Sequence, residues 1–336
     1  MNLFLHRLIV TQMKINLKIL ILLFFPTLTF GQVNTGYALV LHGGAGVMSV
    51  DSMTPVLQKE YTAVLTRALL VGDSVLAAGG TSLDAVVHTI MIMEDSPLFN
   101  AGKGAVFTHE GTVELDASIM DGKSLGAGAV AGITDIKNPI ALARSVMEKS
   151  EHVFLTGKGA SQFAVEQGFK RVPNSYFYTE KRFQQLQELL KNERKPGTND
   201  KHGTVGCVAL DRYGNIAAGT STGGMTNKKY GRIGDSPVIG AGTYANNATG
   251  GFSCTGHGEY YLRLGFSRDI SALMEYRQVD VQKACQLEIE KLTKLGGTGG
   301  VIGLDKYGNV AMEFNTSGMF RGYIKSDGSR FTAIFK

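Results

Sequence analysis

The sequence predicts a layered α+β sandwich. Three observations carry this: a strand-turn-strand pattern that occurs twice, helical segments between its two copies, and 43 glycines against 7 prolines in 336 residues. Strand runs separated by helix pairs suit packed layers rather than a doubly wound sheet. With no G-X-Y period, the glycine excess points to tight turns and close backbone approach.

In chain order, Tyr37 to Leu41 reads as a short apolar strand ending in the glycine-rich turn His42-Gly43-Gly44-Ala45-Gly46. Pro55 to Ala78 reads as one amphipathic helix, and Thr81-Ser82-Leu83-Asp84 is a capping box that opens a second helix running toward Glu94. Strand-like pieces follow at Ala105-Val106-Phe107, Val113-Glu114-Leu115 and Ala127 to Ile133, then helices over Asn138 to Lys149 and after Gly157. From about Gln184 the pattern gives way to a charged, Pro- and Gly-punctuated stretch, read as an exposed linker over about 190–203. Thr204 to Leu210, the turn Asp211 to Asn215 and Ile216 to Ala218 form a hairpin. Val301 to Leu304, Asp305 to Asn309 and Val310 to Met312 repeat it, and the two hairpins are expected to share a sheet. Gly258 to Tyr276 and Val279 to Leu295 read as the helices between them.

Residues 1–31 hold no Asp or Glu, carry Arg7, Lys14 and Lys18, and then run from Ile19 to Phe25 without a polar residue. That is the pattern of an export signal, too short for a span of roughly 20 apolar residues, with Met1 or Met13 as its start. The expected product is periplasmic or secreted, with no membrane attachment once the leader is gone. Losing the leader's three positive charges lowers the formal balance from +5 to +2. No basic stripe remains for a nucleic acid partner. Cys207, Cys254 and Cys285 are odd in number and lack metal-ligand spacing, so each reads as a small buried hydrophobe.

Several catalytic signatures are absent from the sequence: G-x-G-x-x-G, a P-loop and H-E-x-x-H. What remains is Gly203-Thr204-Val205-Gly206, a Thr placed where a polar linker meets a buried strand. A Thr hydroxyl needs a base, and cutting the bond before it would put an α-amine on the same residue. Such an amine titrates near 7.7–8.0, which leaves a useful neutral fraction around physiological pH.

Downstream stand Ser221 to Lys228, Gly231-Arg232-Ile233-Gly234-Asp235-Ser236-Pro237, Gly240 to Asn247 and Ser253-Cys254-Thr255-Gly256-His257-Gly258-Glu259. With His42 to Gly46, Asn100 to Gly104 and Glu114 to Gly122, this ordered set resembles the plant-type asparaginase/isoaspartyl peptidase family over nearly all of the chain after the leader. The resemblance implies a four-layer αββα sandwich of the N-terminal-nucleophile (Ntn) hydrolase type. It further implies self-cleavage between Gly203 and Thr204, giving an α subunit over 32–203 and a β subunit over 204–336 of one domain. Two processed units would pair as an (αβ)2 dimer.

By the same resemblance Thr204 is the nucleophile, Thr222 orients it, Thr255 and Gly256 form the oxyanion hole, and Asn100 lies beside the Thr. Arg232 would take a substrate carboxylate and Asp235 the ammonium, with the backbone of Gly258 as a further contact. A structural sodium ion would sit on backbone carbonyls of Met93, Glu94, Ser96, Phe99, Ala101 and Lys103, with no cofactor needed for catalysis. Ser96 and Lys103 depart from the family pattern. The implied activity is hydrolysis of β-aspartyl dipeptides and of L-asparagine through an ester on Thr204. Glycosylasparaginase is the nearest alternative, though its residue before the nucleophile is usually Asp rather than Gly203. A binding protein that never self-cleaves is the alternative from another class.

Overall fold

The computed structural model describes residues 36–46, 48, 53–191 and 203–336. The expected export leader, the first residues after it, and the linker from 192 to 202 lie outside the described residues.

Two sheets face each other. The larger is built from β1 (Ala38–Gly46), β2 (Leu115–Asp121), β3 (Ala127–Ile133), β4 (Phe154–Thr156), β5 (Val205–Leu210), β6 (Ile216–Thr222), β11 (Gly318–Lys325) and β12 (Arg330–Phe335), in the order β12-β11-β1-β5-β6-β2-β3-β4. The smaller holds β7 (Thr243–Asn246), β8 (Gly250–Gly256), β9 (Gly299–Asp305) and β10 (Val310–Phe314), in the order β10-β9-β8-β7. Helices α1 (Pro55–Ala77), α2 (Ser82–Glu94) and α3 (Pro139–Lys149) cover the outer face of the large sheet. The small sheet is covered by α6 (Gly258–Leu264), α7 (Phe266–Arg277) and α8 (Val281–Lys294). Helix, sheet, sheet, helix is the expected αββα order. Two further helices, α4 (Gly157–Glu166) and α5 (Glu180–Lys191), lie between the two expected subunits' strands in sequence.

Local chemistry sets the boundaries. Thr54 caps α1 by accepting from Leu57 N, with Pro55 as the first helical residue, where its missing N–H costs nothing. Thr81 and Asp84 close the capping box of α2 as read from the sequence. Each repeated turn is tied by its own Asp: Asp211 Oδ1 accepts from Tyr213 N and Asn215 N, and Asp305 Oδ1 from Tyr307 N and Asn309 N.

Strand alternation sorts side chains between two cores. On β1 and β5, Leu39, Leu41, Val205, Cys207 and Ala209 face the helices, while Ala38, Val40, Val208 and Leu210 face the other sheet. Sheets pack closely because β8 carries Gly251 there: a Cβ on it would lie 2.6 Å from Val208 Cγ1 and 2.8 Å from Ile216 Cγ2. A third core, around Phe252, Phe266 and Ile270, fills the space between the small sheet and its helices.

Three expectations need correction. The two similar hairpins belong to different sheets, β5-β6 to the large one and β9-β10 to the small one, because each turns its own inner face to the gap between them. The helix expected over Gly258 to Tyr276 breaks at Gly265, whose φ of 57° ends α6 in a left-handed cap. Residues 190 and 191, expected to open the linker, instead end α5, whose Phe183 and Leu186 pack on the core and outweigh the polar composition around them. Strands β11 and β12, which the sequence reading did not assign, flank β1 and complete the large sheet.

Phe252 is fully buried. Its replacement by Ala is expected to lower the unfolding free energy by about 3–5 kcal/mol in denaturant titration, the range for deleting a buried aromatic side chain. A loss under about 1 kcal/mol would contradict this packing.

Candidate active site

Thr204 immediately precedes β5, in step with Gly206 and Val208 on the strand's inner face. Its hydroxyl donates to Thr222 Oγ1 at 3.2 Å, and Thr222 donates to the carbonyl oxygen of Gly203 at 3.3 Å. Gly224 N in turn donates to Thr222 Oγ1 at 3.0 Å. One hydroxyl thus stands between the oxygen of Thr204 and the carbonyl oxygen of the peptide bond before it. Thr222 ends β6, on the same face as Thr220.

Asn100 lies against Gly203, where a Cβ would come within 3.0 Å of Asn100 Cβ. Its side chain is held by Val106 N at 2.9 Å and donates to Gly224 O at 2.7 Å, which ties the Asn100 loop to the Thr222 turn. Gly223 leaves room for this, since a Cβ there would sit 2.6 Å from Asn100 Oδ1. Gly203, Thr204, Thr222, Arg232, Asp235 and Gly256 share one cavity of about 10 Å³. That is about the room for a single water.

Thr255 and Gly256 end β8. Thr255 is buried and its Oγ1 accepts from Ala45 N at 3.3 Å, which leaves its own proton to donate. Gly256 has φ 154°, and a Cβ on it would lie 2.4 Å from Thr298 O, so only Gly lets the chain turn here. Thr255 precedes Gly256 at the end of β8, and Gly258 packs against Asp235 and Arg232.

Arg232 and Asp235 differ in how they are satisfied. Glu259 takes the Arg232 fork with both oxygens, from Nε at 2.9 Å and Nη2 at 2.9 Å. His257 Nε2 lies 3.1 Å from the same carboxylate. Asp235 is buried and its Oδ2 has no hydrogen-bond partner. Burial pushes its carboxyl up to about 7, against the pull of the Arg232 cation. A buried carboxylate facing the cavity with an open oxygen is suited to an ammonium group, and the remaining edge of the held guanidinium to a carboxylate.

Glu259, which holds Arg232, is a site neighbour to which the sequence reading gave no role, although it follows Gly258 directly at the start of α6. Lys228 is another. Its buried Nζ donates to Glu114 O at 3.3 Å, lies 3.5 Å from Glu114 Oε2 and 4.0 Å from Asp116 Oδ2, and backs Gly224. The cysteines are buried and free, as expected of small hydrophobes.

Among the described residues no group of three or more His, Cys, Asp or Glu side chains could hold a metal. The segment from Met93 to Lys103 instead turns carbonyls inward over glycines. A Cβ on Gly102 (φ 51°) would lie 2.3 Å from Glu94 O, and one on Gly104 would lie 2.1 Å from Phe99 O. The Lys103 ammonium points away, over the Tyr176 ring at 5.8 Å.

The chain matches a family model described as asparaginase over residues 35–334. It is 46% identical to the isoaspartyl peptidase of Escherichia coli K12 over 307 residues, 89% of this chain and 96% of that protein. It is 42% identical to the isoaspartyl peptidase/L-asparaginase of Xenopus laevis (86% of this chain, 92% of that one). With the protein of that name from Rattus norvegicus the figure is 40%, covering 88% of each chain.

Behind the site, Glu94 is buried, accepting from Ser221 Oγ at 2.6 Å and Ile140 N at 3.1 Å, while its Oε2 has no partner. Burial raises its carboxyl from 4.5 to about 8. The native state therefore keeps a proton that the unfolded chain releases. Stability from this group is complete below about pH 4.5 and is lost as pH climbs to about 8. The melting temperature is expected to fall across that window and Glu94→Gln to flatten the fall; an equal fall in the variant would contradict the assignment.

Proposed function

We propose a function from one premise: the chain belongs to the asparaginase family. It is a hydrolase, and its substrates are β-aspartyl dipeptides and, less efficiently, L-asparagine. The observation that carries the reading is the placement of Thr222 between Thr204 Oγ and the Gly203 carbonyl, beside the Arg232 and Asp235 pair.

Self-cleavage comes first. Thr204 Oγ attacks the Gly203 carbonyl carbon, and its proton passes by way of Thr222 to the departing amide nitrogen. The C–N bond breaks, an ester joins Gly203 to Thr204 Oγ, and water hydrolyses it. The products are a carboxylate on Gly203 and a free α-amine on Thr204. Support comes from the hydrogen bonds that join Thr204 Oγ, Thr222 Oγ and the Gly203 carbonyl oxygen.

In turnover the α-amine takes the proton from Thr204 Oγ, which attacks the side-chain carbonyl of the β-aspartyl group. Thr255 O–H and Gly256 N–H receive the developing oxyanion, where losing one donor costs about 3–4 kcal/mol. The leaving amine takes the proton, and water then frees aspartate from the ester. Asp235 holds the substrate ammonium. Arg232, kept in place by Glu259, holds the α-carboxylate. Glu259 is half-buried and its pKa is lowered: burial works against this, but the Arg232 hydrogen bonds outweigh it.

The proposal extends to three further features. The inward carbonyls of Glu94 and Phe99 fit a sodium ion that would stiffen the loop bearing Asn100. Two processed units pair as an (αβ)2 dimer. The residue pattern of 1–31 argues for export to the periplasm or beyond.

Purified protein is expected to hydrolyse β-aspartyl-leucine, with Asp235→Asn and Arg232→Lys each lowering kcat/KM by about 10²–10³-fold, the cost of stripping one partner from a buried charge contact. Faster turnover of a glycosyl-asparagine would favour the glycosylasparaginase reading. No hydrolysis by an uncleaved chain would leave a binding protein.

A further inference from the structure

We propose that His42 is a positioning residue for the nucleophile: as the neutral imidazole with its proton on Nδ1 it holds the Thr204 carbonyl, and a buried chain of hydroxyls fixes that tautomer. This rests on the reading of Thr204 as the nucleophile.

The geometry begins at the carbonyl. His42 Nδ1 is 2.9 Å from Thr204 O, and a carbonyl oxygen can only accept, so Nδ1 carries the proton. His42 is fully buried, and burial drives its pKa down to about 3, leaving the ring neutral. Nε2 of a neutral ring is then an acceptor. Its partner at 2.9 Å is Ser253 Oγ, whose hydroxyl therefore donates to it. Ser253 Oγ lies 2.7 Å from Thr220 Oγ1, Thr243 donates to Thr220, and Ser118 Oγ lies 2.8 Å from Thr243 Oγ1. Ser118 also lies 2.6 Å from the carbonyl of Ser236, next to Asp235.

Strand register explains why these groups meet. His42 pairs with Gly206, Gly206 with Thr220 and Thr220 with Ser118, so the four lie on one rung across β1, β5, β6 and β2. Ser253 and Thr243 pair on the facing sheet. Two residues along the same inner faces come Thr204, Thr222 and Thr255. The hydroxyl layer is thus the rung directly behind the reacting groups. Gly206 keeps the rung open: a Cβ there would lie 1.9 Å from Ser253 Oγ and 2.3 Å from His42 Nε2, on top of their hydrogen bond.

The anchor gains importance after self-cleavage. Thr204 then becomes a chain terminus and loses the peptide bond that held its nitrogen. Its carbonyl and the strand beyond it are the remaining tether, and the carbonyl sits one bond from the Cα that aims Oγ. Nothing in the chain of hydroxyls touches substrate, so its effect belongs to kcat rather than KM.

Two amides separate the roles of the ring nitrogens. The amide nitrogen of Asn falls near the place of Nδ1, and the amide oxygen of Gln can fall near that of Nε2. In the processed enzyme acting on β-aspartyl-leucine, His42→Asn is expected to keep kcat at least about tenfold above His42→Gln, with KM within about twofold of wild type in both. A tenfold gap is the worth of roughly one hydrogen bond. Equal kcat in the two variants would overturn the proposal, since both lose the ring alike. If neither variant folds, Ser253→Ala and Thr220→Val read the same chain: lowered kcat at unchanged KM supports it, and wild-type kcat overturns it. A wild type with no hydrolase activity overturns the functional reading and this inference with it, whereas an active wild type with indistinguishable variants overturns this inference alone.

Discussion

The gap between the two sheets is the constraint on which the site depends. At one end it is filled by Val40, Met120, Val208, Ile216, Ala218, Ile302 and Leu304. Further along the same strands the inward positions become His42, Thr220, Ser253, Thr243 and Ser118, and at the mouth they become Thr204, Thr222 and Thr255. Period-two alternation makes this progression unavoidable once the register is set, because a slip of one residue would turn every hydroxyl toward the helices. A buried polar layer is tolerated only when its groups are bonded to one another, and each hydroxyl in this layer has a partner within the layer or on a nearby backbone carbonyl.

Charge is handled in the opposite way. Arg232 is paired in advance by Glu259, while Asp235 and Asp116 are buried with an oxygen that accepts no hydrogen bond, the one on Asp116 facing the Lys228 ammonium at 4.0 Å. The open oxygens cost stability in the empty protein. At Asp235 that cost is recovered when a cation arrives, so the site favours a ligand bearing both signs of charge at close spacing. Arg232, held from one side, meets such a ligand with little freedom left to lose.

Much of this was legible in the sequence. Capping boxes, glycine turns and apolar alternation located α1, α2, β3, β5 and β6 to within a few residues, and the ordered motifs named the residues that line the cavity. What escaped was long-range. Nothing in the repeated hairpins says that they lie in opposite sheets, because each is locally complete and only packing decides its partner. His42 looked like part of a glycine turn, since its meaning comes from Thr204, 162 residues away, and from Ser253, 211 residues away. Glu259 and Lys228 sat in recognised motifs without roles, because pairing of long side chains leaves no periodic trace.

The central claim is that Thr204 is first the site of cleavage and then the nucleophile. Intact-mass analysis of purified wild type and Thr204→Ala tests it most directly. The account requires two fragments in the wild type, the second beginning at Thr204, and one uncut chain in the variant. A single chain in both would contradict it, for the base of the mechanism is an amine that only cleavage creates.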